Sequence, residues 1–180
     1  SKKYDLPWCC QTRADSLNFE LLKKMRRAGC RMIHFGVETG SEKVMKTIDK
    51  KIKLSEIEEG IAMTKKAGIE VACFFMFGFP GETQEDMDVT IQFAKKLNPT
   101  YASFHIASPY PGTQLYEMSE TTELFPEAYT KEHSIKDLEE TVRKAFKKFY
   151  IRPAYAFSRI IEGNHTVWKK QFSLFWELVR

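Results

Sequence analysis

One unit of sequence occurs three times and restricts the fold more than any other feature. Each copy has a helix end rich in lysine and arginine, a glycine or asparagine suited to the position after a helix, and a short apolar segment typical of a strand. The copies cover residues 25–37, 64–78 and 94–106. With a first strand at about residues 6–12, strands and helices alternate, which favours a parallel sheet with right-handed connections.

The second copy runs into a turn and a further helix, and residues 73–83 show this pattern in detail. The apolar run before Gly78 predicts a strand that is buried on both faces. Pro80 and Gly81 suit the centre of a type II turn, and Thr83 is a candidate N-cap for the helix that follows. Loops that follow parallel strands are the usual ligand sites of α/β proteins, so we expect the functional residues in such loops.

Composition excludes several classes of protein. The 180 residues are 43% hydrophobic and 29% charged, as in a globular domain, and the net charge of +4 is too small to indicate a nucleic-acid partner. No apolar run approaches the roughly 20 residues that cross a membrane. We therefore predict a cytoplasmic protein without a membrane span. The cysteines lack the spacing of a metal site and are interpreted as buried hydrophobic residues: Cys9, Cys10, Cys30 and Cys73.

The alternation of strands and helices stops after Thr113. Residues 114–133 are predicted to be irregular and polar, and apolar spacing over residues 135–149 predicts an amphipathic helix that ends near Pro153. A last predicted helix carries its apolar residues on one face: Trp168, Phe172, Phe175, Trp176 and Val179. The sequence thus divides into an α/β part, residues 1–113, and a mostly helical extension, residues 114–180.

Four parallel strands cannot close a (β/α) barrel, which needs about 250 residues. The chain also begins at Ser1, without an initiator methionine and almost inside a strand. We expect it to be the later part of a barrel whose opening strands are missing. The exposed sheet edge should then make the chain self-associate.

The loops after the predicted strands would meet at one rim, because the carboxyl ends of parallel strands lie at the same edge of a sheet. Arg13, Glu38, several hydroxyl groups and Tyr110 lie in these loops. This combination suits a polar small molecule that carries amine, carboxylate and hydroxyl groups.

Five short motifs in these segments follow one another in order: TRAD at 12–15, AGC at 28–30, FGVETGSE at 35–42, GFPGET at 78–83 and SPYPGT at 108–113. Together they resemble the radical S-adenosylmethionine (radical SAM) superfamily over residues 5–160, along strands three to six of its partial barrel. FYIRP at 149–153 resembles the cobalamin-binding branch, which includes the anaerobic magnesium-protoporphyrin ester cyclase type. The resemblance implies an α/β fold, a partial (β/α) barrel of the radical SAM type followed by an α-helical tail.

The resemblance also implies which residues hold S-adenosylmethionine (SAM). An acidic or amide residue that ends the fourth strand of the family contacts the methionine or ribose part of SAM, and Glu38 has this position. A basic residue further along meets the SAM carboxylate, which assigns Lys50, and the residue that ends the third strand, Arg13, faces the same pocket. The adenine is expected against residues of the last two strands and the loop after them: Met76, Ala107 and Tyr110.

Structural roles remain open for the polar members of this set. Glu38 could stabilise the N-terminus of the helix that begins near Ser41. Arg13 could pair with Asp15 or Glu38, and Lys50 could be a solvated charge.

Two histidines lie on predicted strands. His34 has the same strand parity as Gly36 and Glu38 and could face the interior of a barrel. We interpret it instead, like His105, as a core histidine with a hydrogen-bond partner.

The resemblance implies an enzyme whose full-length form generates a 5′-deoxyadenosyl radical from SAM with a [4Fe-4S] cluster. The sequence lacks the C-x-x-x-C-x-x-C loop that ligates this cluster, the glycine-rich segment that holds the SAM amine, and a cobalamin-binding domain. We therefore predict the SAM-binding half of an oxidoreductase or transferase, inactive by itself. The cluster ligands are expected in a missing N-terminal part, and cobalamin is a further candidate cofactor. A reductant protein and a small-molecule substrate are the expected partners.

Two other functions remain open. Methylthiolation of transfer RNA is the alternative within the same superfamily, although no appended RNA-binding domain is recognisable. A barrel without a cluster could instead be a non-catalytic scaffold, which the absence of the cysteine loop also predicts.

Overall fold

The computed structural model describes residues 6–119, 121–129 and 131–153, together with residues 155 and 157. Its centre is a sheet of four parallel strands whose spatial order equals their order in the chain: β1 (Trp8–Gln11), β2 (Cys30–Glu38), β3 (Glu70–Phe77) and β4 (Tyr101–Ile106). The predicted α/β class and the predicted parallel sheet are confirmed.

Helices connect each strand to the next: α1 (Phe19–Arg27) follows β1, α2 (Glu42–Thr47) and α3 (Leu54–Lys66) follow β2, and α4 (Gln84–Leu97) follows β3. Ser41 caps α2 and Thr83 caps α4, because their hydroxyl groups accept hydrogen bonds from backbone N–H groups in the first turn. The N-cap predicted at Thr83 is confirmed.

The helices cover one face of the sheet and build the main core there. Along β2 the buried residues alternate, so Ile33, Phe35 and Val37 face the helices. The same face of the next two strands contributes Cys73, Phe75, Phe77, Ala102 and Phe104, and the helices contribute Leu22, Ile57, Ile61, Met87 and Ile91.

The opposite face of the sheet, called the open face below, is only partly buried. Its residues on β2 and β3 include Met32, His34, Gly36, Phe74 and Met76, all of intermediate exposure. The prediction that the strand before Gly78 is buried on both faces was therefore wrong. The described helices build the main core on the other face, so burial alternates from Cys73 to Phe77 instead of being continuous along β3.

After β4 the chain forms α5 (Gln114–Ser119) and α6 (Ile135–Tyr150). The predicted amphipathic helix is confirmed by α6, whereas α5 lies in the stretch predicted to be irregular. α6 packs against β4 and α4 with Leu138, Ala145 and Phe149 in the main core. The division of the chain at residue 113 stays a prediction, and the predicted last helix with Trp168 lies outside the described residues.

Tyr150 occupies the outer edge of β4. Its hydroxyl donates a hydrogen bond to the carbonyl oxygen of Ala102 (2.8 Å) and accepts one from the N–H of the same residue (3.0 Å). The hydroxyl of Tyr155 donates to the carbonyl oxygen of Thr100 at 2.8 Å. Backbone groups at a sheet edge otherwise need another strand or water. The C-terminal extension therefore ends the sheet on this side.

Replacing Tyr150 by phenylalanine should lower the free energy of unfolding by about 2 kcal/mol, because two part-buried backbone groups of Ala102 lose their partner. The measurement is urea unfolding followed by circular dichroism. Tyr116→Phe is the matched control, since the hydroxyl of Tyr116 donates to an exposed carbonyl, that of Glu123. Equal losses in the two variants would contradict this role of Tyr150.

Candidate functional site

Glu38 ends β2 in an unusual backbone conformation. Its φ angle is +68°, and the N–H of Thr39 donates to the carbonyl oxygen of Val37 at 2.9 Å, the hydrogen-bond pattern of a classic γ-turn around Glu38. The register with β3 also shifts between Gly36 and Glu38. A residue other than glycine in this region costs of order 1 kcal/mol or more, and such strain is most often found at functional sites. The γ-turn places the Glu38 carboxylate at the carboxyl edge of the sheet.

Lys50 is the partner of Glu38. Its Nζ lies 3.3 Å from Oε1 of Glu38 and donates to the carbonyl oxygen of Gly36 at 2.6 Å. Only 18% of the Lys50 side chain and 26% of the Glu38 side chain are exposed. Burial lowers the pKa of Lys50, while the negative charge of Glu38 opposes this shift. The structure thus pairs Glu38 with Lys50 and places Ser41, not Glu38, as the cap of α2.

Two glycines make this arrangement possible. A Cβ at Gly36 would lie 2.6 Å from Oε1 of Glu38, so a side chain there would displace the carboxylate. A Cβ at Gly40 would lie 2.5 Å from the Cβ of Phe93, and the close approach lets the Gly40 N–H donate to Oγ1 of Thr90 at 2.9 Å. The loop that carries Glu38 is therefore held against α4.

An open pocket of about 360 Å³ lies beside the Glu38–Lys50 pair, at the carboxyl ends of β1 and β2. Arg13 also lines it, but its guanidinium makes two hydrogen bonds to Asp15 (3.0 and 2.7 Å) and one to the carbonyl oxygen of Lys51 (2.7 Å). Of the alternatives for Arg13, the structure shows the pairing with Asp15. The pocket unites the three predicted polar site residues.

The predicted adenine contacts separate into two places. Met76 and Ala107 belong to one small apolar cluster, which also contains Val44 and Phe79, at the carboxyl ends of β3 and β4. The side chain of Tyr110 is 58% exposed, and its ring lies 6.3 Å from that of Phe125. The structure thus brings Met76 and Ala107 together and leaves Tyr110 outside their cluster.

Glu82 was not among the predicted site residues, and the structure buries it in the turn after β3. It is 1% exposed, and its Oε2 accepts hydrogen bonds from the N–H groups of Gly78 (2.6 Å) and Phe79 (3.1 Å). Its Oε1 is buried and has no hydrogen-bond partner among the described residues. Burial raises the pKa of Glu82 to about 7, although both N–H groups favour the ionised form. The one feature of the sequence that could have indicated a role for Glu82 was its position in the GFPGET motif.

The interpretation of His34 as a hydrogen-bonded core residue was wrong. Its ring lies on the open face, 5.6 Å from the ring of Phe74, and makes no hydrogen bond within the described part of the chain. His105 has a hydrogen-bond partner, the hydroxyl of Ser103 at 2.7 Å, but it is exposed, so its interpretation as a core residue was also wrong. The shared strand parity of His34, Gly36 and Glu38, which placed His34 on the face of the barrel interior, predicted its position correctly.

The interpretation of all four cysteines as buried residues was wrong for Cys9, which is exposed, and for Cys10, which is partly exposed. Cys30 and Cys73 are buried on the face that the helices cover, and burial raises the pKa of both thiols, that of Cys30 to about 11. Among the described residues, no three His, Cys, Asp or Glu side chains are grouped so that they could hold a metal ion. Iron–sulfur clusters are held by several thiolates. These residues therefore do not fit a [4Fe-4S] cluster.

Comparison with known protein families identifies the family of this chain. The family model described as "Radical SAM superfamily" matches residues 1–94, which is more than half of the chain. The chain belongs to the radical SAM superfamily. The motifs at residues 12–15, 28–30, 35–42 and 78–83 all lie within the matched range.

Known proteins agree with this assignment. The radical SAM chain is 32% identical over 178 residues to an uncharacterized methyltransferase of Pyrococcus horikoshii, a match that covers 92% of the chain and 39% of the relative. It is 26% identical over 163 residues to the anaerobic magnesium-protoporphyrin IX monomethyl ester cyclase of Cereibacter sphaeroides, covering 82% of the chain and 26% of the relative. The chain spans less than half the length of both relatives.

A solved structure shows the same fold. Coproporphyrinogen III oxidase from Escherichia coli, a radical SAM enzyme, superposes with a TM-score of 0.62 at 15% identity, covering 82% of this chain and 32% of that one. The predicted partial (β/α) barrel of the radical SAM type is therefore confirmed.

Proposed function

We propose that this chain is the SAM-binding half of a radical SAM enzyme of the oxidoreductase or transferase classes. The observation that supports the proposal most is the part-buried Glu38–Lys50 pair beside an open pocket, at the edge of the sheet where α/β proteins bind ligands. Names of relatives favour methyl transfer or ring formation as the outcome, since one is a methyltransferase and another an ester cyclase.

The residues of the pocket suit the polar end of SAM. Lys50 supplies a positive charge for the SAM carboxylate, and Glu38 supplies an acceptor for its ammonium or ribose hydroxyl groups. Arg13 would take part after release from Asp15, and the apolar cluster of Met76 and Ala107 offers a surface for adenine, with Tyr110 in the loop beyond. SAM supplies the 5′-deoxyadenosyl radical in the complete enzyme, and this chain supplies binding and orientation.

The other parts of the proposed enzyme lie outside this chain. The described cysteines do not fit a [4Fe-4S] cluster, so we place its ligands, and a cobalamin site, in other segments of a longer protein. A reductant protein, a small-molecule substrate and self-association through the outer edge of β1 belong to the same proposal. Of the described helices, none is both long and apolar enough to cross a bilayer. The cytoplasmic location stays a prediction.

A non-catalytic scaffold is the second candidate, because the described cysteines do not fit a cluster. The two functions differ in one simple property: the enzyme half binds SAM, whereas a scaffold that has lost its chemistry does not. Transfer RNA methylthiolation remains the alternative within the superfamily.

Replacing Lys50 by methionine should weaken SAM binding by about tenfold to a hundredfold, since a hydrogen bond to a charged group contributes about 1.5–3 kcal/mol. The measurement is isothermal titration calorimetry of the chain with SAM. Lys51→Met is the matched control, because the side chain of Lys51 is 80% exposed and pairs with the exposed Asp49. Thermal unfolding shows whether each variant is folded.

The outcomes separate the candidates. Loss of affinity in Lys50→Met with wild-type affinity in Lys51→Met supports the enzyme half. Equal affinity in all three proteins would remove Lys50 from the site, and no heat of binding at millimolar SAM would favour the scaffold.

A further inference from the structure

Three aromatic rings form a row across the middle of the open face. His34 on β2, Phe74 on β3 and His105 on β4 are neighbours, with ring centroids 5.6 and 6.1 Å apart. The planes of successive rings differ by 31° and 38°. This set, called the ring row below, presents one broad aromatic surface that three adjacent strands hold in place.

The layers around the ring row are unlike a packed barrel interior, where bulky branched residues dominate. One layer, in strand register, consists of Gln11, His34, Ala72 and Tyr101, and the next consists of Gly36, Phe74 and Ser103. None of these seven residues is a branched aliphatic residue, and only Ala72 is fully buried. The middle of the open face is therefore built for contact with a ligand more than for side-chain packing.

The ring row adjoins the proposed SAM pocket. Gly36 is in register with Phe74 and also lines the pocket, so no side chain stands between them on β2. Gln11 likewise lines the pocket and is in register with His34. A molecule lying on the ring row would touch a molecule held by Glu38 and Lys50.

The chemistry of the ring row defines the ligand. Flat aromatic surfaces attract flat conjugated rings through stacking. The imidazole of His34 has no hydrogen-bond partner among the described residues, and an imidazole N–H donates to carbonyl or carboxylate oxygens. His105 is held by Ser103 through Nε2, which leaves Nδ1 for a ligand. None of the three residues is a carboxylate that would repel such oxygens.

We propose that the ring row binds the substrate of the enzyme, and that this substrate is a flat conjugated ring system with carbonyl or carboxylate groups at its edge. Calling this ligand the substrate rests on the proposed function. The binding site itself rests on the geometry of His34, Phe74 and His105.

The experiment titrates the chain with protoporphyrin IX, a flat ring system with two edge carboxylates, and follows porphyrin fluorescence. Phe74→Ala should weaken binding about tenfold, because the central stacking surface is removed. His34→Phe keeps the ring and removes the N–H donor, and should weaken binding severalfold. Phe125→Ala is the matched control, since Phe125 is 66% exposed and lies outside the ring row. Its affinity should equal that of the wild type.

Circular dichroism and SAM titration of the same variants complete the test. Phe74→Ala and His34→Phe should keep their secondary structure and their SAM affinity. Equal porphyrin affinity in wild type, Phe74→Ala and His34→Phe would show non-specific adsorption and overturn the proposal, even if SAM binds. Porphyrin binding that depends on Phe74 in a chain without SAM affinity would refute the proposed function and leave the ring row a binding site for flat rings.

Discussion

Replacing Glu82 by glutamine is expected to remove most of the pH dependence of stability that the wild-type chain shows between pH 4.5 and about pH 7. The side chain is buried, and within the described part of the chain one of its two oxygens accepts hydrogen bonds, from Gly78 and Phe79, while the other has no partner. The amide oxygen of glutamine can accept the same two hydrogen bonds, and the amide does not ionise. The variant should therefore have a nearly constant free energy of unfolding over this range, apart from the titration of other groups.

The direction of the wild-type effect follows from the raised pKa of Glu82, about 7 in the folded chain against an ordinary value of 4.5. Well below pH 4.5 the carboxyl of Glu82 is protonated in both states, and its contribution to stability is largest. As the pH rises through this window, the unfolded chain ionises first, so the free energy of unfolding falls. Above about pH 7 both states are ionised, and the total loss is about 3 kcal/mol.

Urea unfolding at intervals from pH 4 to pH 8.5 measures this loss. Glu85→Gln is the matched control, because it removes a neighbouring but exposed carboxylate at the start of α4 and should keep the wild-type slope. Asp86 does not interfere: although burial raises its pKa, hydrogen bonds from Lys43, Ser41 and Thr83 lower it below the usual range, outside the window. Parallel curves for wild type and Glu82→Gln would show that Glu82 has the same pKa in the folded and the unfolded chain, and would contradict the raised pKa.

The consequence for function concerns the turn that Glu82 holds. Phe79, whose N–H bonds the carboxylate, packs with Met76 and Ala107 in the cluster that we propose for adenine. The imidazole Nε2–H of His133 donates to the carbonyl oxygen of Glu82 at 2.7 Å, so the C-terminal extension contacts the same turn. Glu82 thus holds the turn that forms one wall of the proposed SAM site.

The fold could be predicted from sequence because its signals are local. The repeated unit consists of a basic helix end, a glycine or asparagine, and an apolar segment. Within about 15 residues it specifies where a helix ends, where the next strand begins and in which direction the chain runs. Right-handed connections then leave a parallel sheet as the consistent arrangement. The error at β3 has the same origin: an apolar run such as that around Phe74 does not reveal how much of each face other elements cover.

The site was harder to predict from the sequence than the fold, because it depends on contacts between residues that are far apart in the chain. Glu38 and Lys50 were predicted from family resemblance, but their contact needs the positive φ of Glu38 and the missing side chain of Gly36. The glycine is visible in the sequence, but the backbone angle of Glu38 and the reason that the contact needs a glycine at position 36 are not. The burial of Glu82 and the open position of His34 likewise depend on which elements pack above them.

The motif FYIRP at residues 149–153, which suggested the cobalamin-binding branch, has a structural explanation in this chain. Tyr150 closes the edge of β4, and Phe149 is buried in the main core. Arg152 joins the end of α6 to the end of α4. The motif therefore attaches the C-terminal extension to the barrel. This structural role does not depend on which substrate the enzyme uses.

Replacing Arg152 by alanine should lower the free energy of unfolding by about 3 kcal/mol. The guanidinium donates to the carbonyl oxygens of Phe149 (2.8 Å) and Lys95 (2.9 Å) and to Oδ1 of Asn98 (2.6 Å). It also lies over the ring of Phe149, 4.5 Å from the centroid. Part-buried hydrogen bonds from a charged donor contribute about 1.5–3 kcal/mol each, and partial access to water reduces their sum. Arg152→Lys should recover little, because one ammonium cannot reach three acceptors in a planar arrangement.

Urea unfolding of the chain measures this change, with Arg143→Ala as the matched control on α6. Arg143 is 60% exposed and pairs with Glu139 one turn away, so its loss should change the free energy of unfolding by less than about 0.5 kcal/mol. A small change in Arg152→Ala would mean that Tyr150 and the apolar face of α6 alone hold the extension. A large change with unaltered SAM affinity would show that the extension stabilises the barrel without forming part of the SAM site. If SAM affinity falls in Arg152→Ala while the chain remains folded, the position of α4 controls the loop of Glu38 that rests on it through Thr90 and Phe93.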